Sequence, residues 1–297
     1  VILETMQKEK TYTIALIQME CQGIREENLE RARQHVVEAA EHGAGLICLP
    51  ELFCSIYFCQ QEDPRFFELA EPVPGYTTDY FSQLSKTVDS VLVVPVFEKS
   101  MTGVYYNSLV VINPDGAIVG KYRKMHIPND PQFQEKYYFT PGDLGFQAIK
   151  TVFGKIGPMI CWDQWFPEAA RSCALDGANV LVYPTAIGWL PGEKEGDGKE
   201  YLDSWKTVQR GHAIANGIYT ASVNRVGIEP NQAGDSEIEF WGHSFIADPR
   251  GHIIAEASEE KEEIIYGSIE PQLISETRQT WPFFRDRRVD AYHGISE

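Results

Sequence analysis

The sequence predicts an α/β fold made of two strand-rich halves, each covered by amphipathic helices. Three observations predict it. Short apolar runs of β type alternate with helical stretches from Tyr12 onward, and a strand–helix–strand plan occurs twice, from Tyr12 and again from Lys155. The turn Asn113-Pro114-Asp115-Gly116 in the first half is matched in type by Asp248-Pro249-Arg250-Gly251 in the second. Strand–helix–strand starts imply parallel strands joined by right-handed crossovers. Helices with one apolar face suggest two sheets packed face to face with helices outside. By pattern alone, a doubly wound single sheet fits equally well.

In chain order, Tyr12–Met19 is a β run, and Leu29, Ala32, Val36 and Ala40 mark one face of a helix over Glu27–Glu41. Gly43 and Gly45 end it and lead into the buried-strand run Leu46–Phe53. The aromatic loop Phe53–Gln60, a loop with a short helix over Pro64–Pro74, and a helix over Thr77–Lys86 follow. Val91–Glu98 and Tyr105–Ile112 are strands, and Ala117–Tyr122 returns from the Asn113–Gly116 turn. Lys155–Ile160 opens the second half, with a helix starting at Pro167, where the missing N–H is not needed, and stopping near Gly177. Val180–Tyr183 is a strand, and Pro184–Lys199 is a long loop. The next helix has Leu202, Trp205, Val208, His212 and Ala215 in phase and Gly217 after it. Ile218–Val223 is a strand, and a hairpin is expected within Phe245–Ile269. The expected organisation is a flexible lead-in over residues 1–10, one domain over 11–270, and a C-terminal arm over 271–297.

Composition narrows the function classes. The chain has 297 residues, enough for a sizeable core, with 43% hydrophobic and 23% charged residues. Its 26 basic and 43 acidic residues leave a net charge of −17, which speaks against nucleic acid or an anionic membrane surface as partner. No apolar run is long enough to span a bilayer, and residues 1–10 hold no signal-peptide core. The six cysteines lack a disulfide rhythm, so reduced thiols in the cytoplasm are expected. Cys48, Cys54 and Cys59 cluster in sequence, but no CxxC or spaced His pair completes a zinc site, so neither metal nor cofactor is expected. Glu193 and Glu200 spoil the one approximate phosphate-loop pattern, and there is no GxGxxG.

Three polar residues stand just past strand ends, where α/β sheets build their sites. They are Glu51 in Leu46–Phe53, Lys124 in Gly116–Pro128, and Cys161 in Lys155–Arg171. Cys161 lies between a strand and the Pro167 helix, a junction that exposes a nucleophile and can lower a thiol's pKa. Thiol attack on an amide needs a proton acceptor and positive charge where the oxyanion forms, and these residue types supply both. Taken singly, each has a plainer reading as core thiol, capping carboxylate or solvated cation. A Cys–His arrangement with His126, His212 or His243 is the rival. His126 reads better as a half-buried structural residue, and His212 as a core one.

In their order Glu, Lys, Cys, these stretches resemble the motifs of the nitrilase superfamily, over about Tyr12 to Ile269. Cys161-Trp162-Asp163-Gln164-Trp165-Phe166-Pro167-Glu168 most resembles the branch acting on N-carbamoylputrescine. True nitrilases usually carry Cys-Trp-Glu, so Asp163 argues for amide or carbamoyl substrates. The resemblance implies a four-layer α-β-β-α sandwich in a single domain. It implies Cys161 as nucleophile through a thioester, Glu51 as general base, and Lys124 with the backbone N–H of Trp162 as oxyanion hole. Glu135 matches the family's second acid, which positions Lys124. The implied reaction converts N-carbamoylputrescine to putrescine, CO2 and ammonia in polyamine biosynthesis, and the implied assembly is a homo-oligomer embraced by the C-terminal arm.

A small cationic carbamoyl amine wants aromatic walls and a distal carboxylate. Tyr57, Trp162, Trp165, Phe166 and Trp189 are candidate walls, and Glu193, Glu195, Asp197, Glu200 and Asp203 are candidate ammonium partners, most of them equally readable as a solvated acidic loop. The alternatives are an amidohydrolase of carbamoyl amino acids, an ω-amidase, or a scaffold without activity. The intact Glu51, Lys124 and Cys161 set argues against the last.

Overall fold

Strand alternation sets the layers. The computed structural model describes residues 10–296, so the lead-in expected over 1–10 lies, Lys10 apart, outside the described residues. The first half runs β1 (Tyr12–Gln18), α1 (Arg25–Glu41), β2 (Ala44–Cys48), α2 (Tyr76–Val88), β3 (Val91–Met101), β4 (Val104–Ile112) and β5 (Ile118–Arg123). Ile14, Leu16, Leu46, Cys48, Val91, Val93, Leu109 and Val111 point into a core shared with the second half. Their chain neighbours Ala15, Ile17, Ile47, Leu92, Val94, Val110 and Ile112 pack against Leu29, Ala32 and Val36 of α1 and Phe81 and Leu84 of α2. Successive side chains of a strand face opposite sides, so strands covered on both faces need apolar residues throughout.

The second half runs β6 (Ile149–Thr151), β7 (Gly154–Pro158), α3 (Pro167–Leu175), β8 (Val180–Pro184), β9 (Gly188–Trp189), α4 (Gly198–Asn216) and β10 (Tyr219–Val223). It continues with β11 (Val226–Pro230), β12 (Glu237–Trp241), β13 (Phe245–Ala247), β14 (Ile253–Glu256), β15 (Glu263–Ile269) and α5 (Pro271–Thr280). Two six-stranded sheets result, ordered β15-β1-β2-β3-β4-β5 and β14-β13-β10-β8-β7-β6. The pairs β1/β2, β2/β3, β7/β8 and β8/β10 are parallel, and β3/β4 and β10/β13 are antiparallel. The halves are thus topological equivalents, as the matched turns suggest. With α1 and α2 on one sheet and α3 and α4 on the other, the architecture is the four-layer sandwich, not a doubly wound single sheet.

Four local expectations change. The hairpin placed over Phe245–Ile269 is only β13–β14: β15 crosses to the first sheet and pairs antiparallel with β1. The charged crossing is tied down by buried Gln18, whose amide donates to the carbonyls of Ser258 (2.8 Å) and Lys261 (2.9 Å). The strand before Glu51 stops at Cys48, and the strand before Cys161 at Pro158, so both residues sit in turns. The third sheet, β11-β12-β9, was missed, although Ile238 and Phe240 alternate with Glu237 and Glu239. On α4 the buried stripe is Trp205, Gln209, His212, Ala213 and Asn216, and Ala215 is exposed. Polar residues can take the inner face there because each finds a partner, such as Ser222 for Gln209 and the Gln164 carbonyl for His212. Gly217 ends α4 at φ 56°, a left-handed conformation suited to glycine. The segment after Ile269 begins as α5, whose Ile274 packs on the shared core.

Leu109 is fully buried between the sheets, whereas Val119 is 37% exposed on β5. Leu109→Ala should lower the unfolding free energy by about 2–5 kcal/mol, through lost burial and the cavity left behind. Val119→Ala should change it by no more than about 0.5 kcal/mol. Urea melts followed by circular dichroism check both.

Candidate active site

Three turns at the strand ends bring the predicted residues together. After β2, Leu49 N–H bonds to Val93 O (3.2 Å), Pro50 donates nothing, and the chain turns at Glu51-Leu52 with Leu52 at φ 51°. After β5, Lys124 is pinned on both sides: its N–H donates to Asn107 O and its carbonyl accepts from Gly142 N–H, each at 2.8 Å. A Cβ on Gly142 would sit 2.1 Å from Arg123 O, so only glycine allows that approach. After β7, Cys161 opens a 3-10 turn over Cys161–Trp165 with φ 41°, a left-handed conformation rarely taken by a non-glycine residue.

Lys124, Glu51 and Glu135 are fully buried. The Lys124 ammonium donates to Glu51 Oε1 at 2.8 Å and to Glu135 Oε1 and Oε2 at 2.8 and 2.7 Å. Asn107 Nδ2 donates to Glu51 Oε1 (2.7 Å), and Tyr57 OH to Glu135 Oε1 (2.8 Å). Of the four carboxylate oxygens, Glu51 Oε2 alone has no partner among the described residues. Burial works against the Lys124 charge, but Glu135 and Glu51 outweigh it and hold the amine well above its usual range. Burial pushes Glu135 up to about 7, with Lys124 opposing.

The thiol departs from expectation. Burial raises Cys161 well above the usual thiol range, Glu51 adds to this, and Lys124 only partly offsets it. Burial and Glu51 thus work against a standing thiolate at this junction, where Cys161 Sγ lies 3.9 Å from Ala186 O. Desolvation in a 5% exposed site outweighs what nearby N–H groups contribute.

Asp163 links two of the turns. Its fully buried carboxylate accepts from Ile160 N–H (3.0 Å) and Tyr122 OH (2.7 Å) through Oδ2, and from His126 N–H (3.1 Å) through Oδ1. His126 Nδ1 also lies 2.8 Å from Oδ1, and its ring stacks on Phe166 at 3.6 Å. His212 bonds to Gln164 O (2.8 Å), and burial lowers its pKa. Both imidazoles thus brace the turn after Cys161, which removes the support for a Cys–His pair.

The expected walls sort differently. Tyr57 spends its hydroxyl on Glu135. Trp162 and Trp165 are half-buried rings packed edge to face at 6.4 Å. Trp189 is buried, bonded through Nε1 to Gly198 O (3.0 Å), and belongs to the aromatic cluster that Trp165 leans on. Glu193 folds back onto Leu190 N–H (2.8 Å), while Glu195, Asp197, Glu200 and Asp203 are exposed. Cys48, Cys54 and Cys59 fall in or against three separate core clusters, and no group of three His, Cys, Asp or Glu could hold a metal among the described residues. Sequence reasoning missed Asn107, Arg225 and Glu229. The signal for Asn107 was a polar residue inside the apolar strand β4.

Known proteins place this geometry in context. A carbon-nitrogen hydrolase family model matches residues 13–279. An N-carbamoylputrescine amidase of Solanum lycopersicum is 43% identical, covering 96% of this chain and 95% of its own. A citrullinase of Francisella tularensis is 39% identical, covering 95% and 97%. The crystal structure of a carbon-nitrogen hydrolase from Helicobacter pylori superposes with a TM-score of 0.93 at 44% identity, covering 97% and 99%.

Replacing Lys124 with methionine strands two buried carboxylates. Lys124→Met should cost about 3–5 kcal/mol of stability near neutral pH. Without the cation, nothing in that pairing opposes the burial that raises Glu135, so the loss should shrink at acid pH and grow as pH rises. Urea melts across pH test this, and a uniform loss at all pH values would contradict it.

Proposed function

The chain belongs to the carbon–nitrogen hydrolase family and is an amide-hydrolysing enzyme, and we propose that it converts N-carbamoylputrescine to putrescine, CO2 and ammonia. The observation that carries the mechanism is the one unpartnered oxygen of the buried cluster, Glu51 Oε2. A neutral thiol needs a base at the moment of attack, and this oxygen is the acceptor left free. Cys161 Sγ bonds to the ureido carbon as its proton passes to Glu51. Lys124 and the backbone N–H of Trp162 hold the resulting oxyanion. Collapse breaks one C–N bond, and Glu51 returns the proton to the departing nitrogen. Water, deprotonated by Glu51, cleaves the resulting S-carbamoyl group and restores the thiol. In whichever order the two nitrogens leave, the carbamate formed falls apart to CO2 and the nitrogen it still carries. Glu135 keeps Lys124 in place and charged.

The amine end of the substrate is supported by the relatives named N-carbamoylputrescine amidase, at 42–43% identity. Trp162 and Trp165 are the walls we favour for the alkyl chain. We also infer a homo-oligomer built through the C-terminal segment, because Trp281, Phe283, Val289, Tyr292 and Ile295 are all exposed there. A monomeric mass by light scattering would count against it. Six unpaired cysteines support a reducing compartment such as the cytoplasm.

Cys161→Ser should keep the fold and nearly abolish turnover, since a hydroxyl is a far poorer nucleophile than sulfur here. With the parent enzyme, ammonia release should favour N-carbamoylputrescine over 4-ureidobutyrate and citrulline by about a hundredfold in kcat/KM. A lead for citrulline would move the assignment toward the citrullinase relative, and a lead for 4-ureidobutyrate toward carbamoyl amino acids.

A further inference from the structure

The proposed mechanism leaves one fully buried cation unexplained. Arg225 follows β10 and is fully buried. Its guanidinium donates to two consecutive backbone carbonyls, from Nε to Glu51 O (3.1 Å) and from Nη2 to Leu52 O (2.6 Å). Nη1 donates to Glu229 Oε1 (2.8 Å), on β11. The other Glu229 oxygen accepts from Tyr57 N–H (2.5 Å), and the Glu229 carbonyl accepts from Gln60 Nε2 (3.0 Å). The neighbouring Asn224 exchanges two hydrogen bonds with Ile187, beside the Ala186 carbonyl that faces Cys161.

Leu52 holds a left-handed backbone that a leucine does not adopt unaided. Both carbonyls of the turn point at one planar cation, and that cation is charge-matched by a carboxylate gripping the next loop. Buried arginines need such pairing in any role, but this one spends two donors on the backbone of the residue proposed as base and its neighbour. We propose that Arg225 is a positioning residue for hydrolysis. Through the two carbonyls it fixes the turn that aims Glu51. Through Glu229 it fixes Tyr57, and hence Glu135 and Lys124. This role rests on the reading of Glu51 as general base.

Arg225→Lys keeps a cation but cannot serve two carbonyls and a carboxylate with a fixed planar fork. Glu229→Gln keeps size and shape while weakening the charge match. Both are measured in the full chain against Glu51→Gln, with kcat and KM for N-carbamoylputrescine taken per folded molecule, counted by near-UV circular dichroism. Arg225 spends its guanidinium on two backbone carbonyls and Glu229, so its loss should appear in kcat. Arg225→Lys should reduce kcat by about thirtyfold or more and Glu229→Gln by about tenfold, with KM within about threefold of the parent in both. A merely structural arginine would lower the yield of folded protein but leave kcat per folded molecule unchanged, and that result overturns the proposal. If Arg225→Lys does not fold, the near-isosteric Glu229→Gln decides, and parental kcat there overturns it equally. Should Glu51→Gln turn over at the parental rate, the reading of the base falls instead, and this role with it.

Discussion

A lysine ammonium removed from water between two glutamates is the constraint on which the site depends. Burial of Lys124, Glu51 and Glu135 together is tolerable only because each charge finds its counterpart within 2.8 Å. The three come from separate loops, after β2, after β5 and in the β5–β6 connection, so the cluster exists only when the first sheet has assembled. It also divides one carboxylate: Glu51 Oε1 is committed to Lys124 and Asn107, while Oε2 has no partner among the described residues.

The sandwich supplies what that cluster requires. Parallel strands end their carbonyl-to-amide ladders at the same edge, so β2 and β7 present their following turns on neighbouring rims. The turns themselves are unfavourable, with left-handed backbones at Leu52 and Cys161. Each is held from outside. Arg225 grips the carbonyls of Glu51 and Leu52, and Asp163 closes the Cys161 turn while reaching Tyr122 and His126 on either side of Lys124. Strain of this kind persists where surrounding hydrogen bonds over-determine the geometry, which is the situation here.

The same burial alters the chemistry. A thiol next to helix N–H groups is expected to ionise readily, yet desolvation and Glu51 make Cys161 a weaker acid. In the proposed mechanism nucleophilicity then depends on a base acting in the transition state rather than on a standing thiolate. Burial likewise pushes Glu135 up to about 7, with Lys124 opposing.

Local pattern was enough for much of this. The continuous apolar runs announced strands covered on both faces, the two Pro-containing turns marked equivalent hairpins, and Glu51, Lys124 and Cys161 stood out as polar residues past strand ends. Those features depend on near neighbours in the chain, with periods of two or about four residues. What local pattern did not reveal is long-range. That β15 leaves its hairpin to close the first sheet, that Tyr57 spends its hydroxyl on Glu135 rather than lining a wall, and that Arg225 holds a turn 173 residues away all follow from contacts distant in sequence. A buried polar group takes whichever partner the closed fold brings within reach, so its hydrogen bonds are decided by tertiary structure, while its need for one is already written in the residue type.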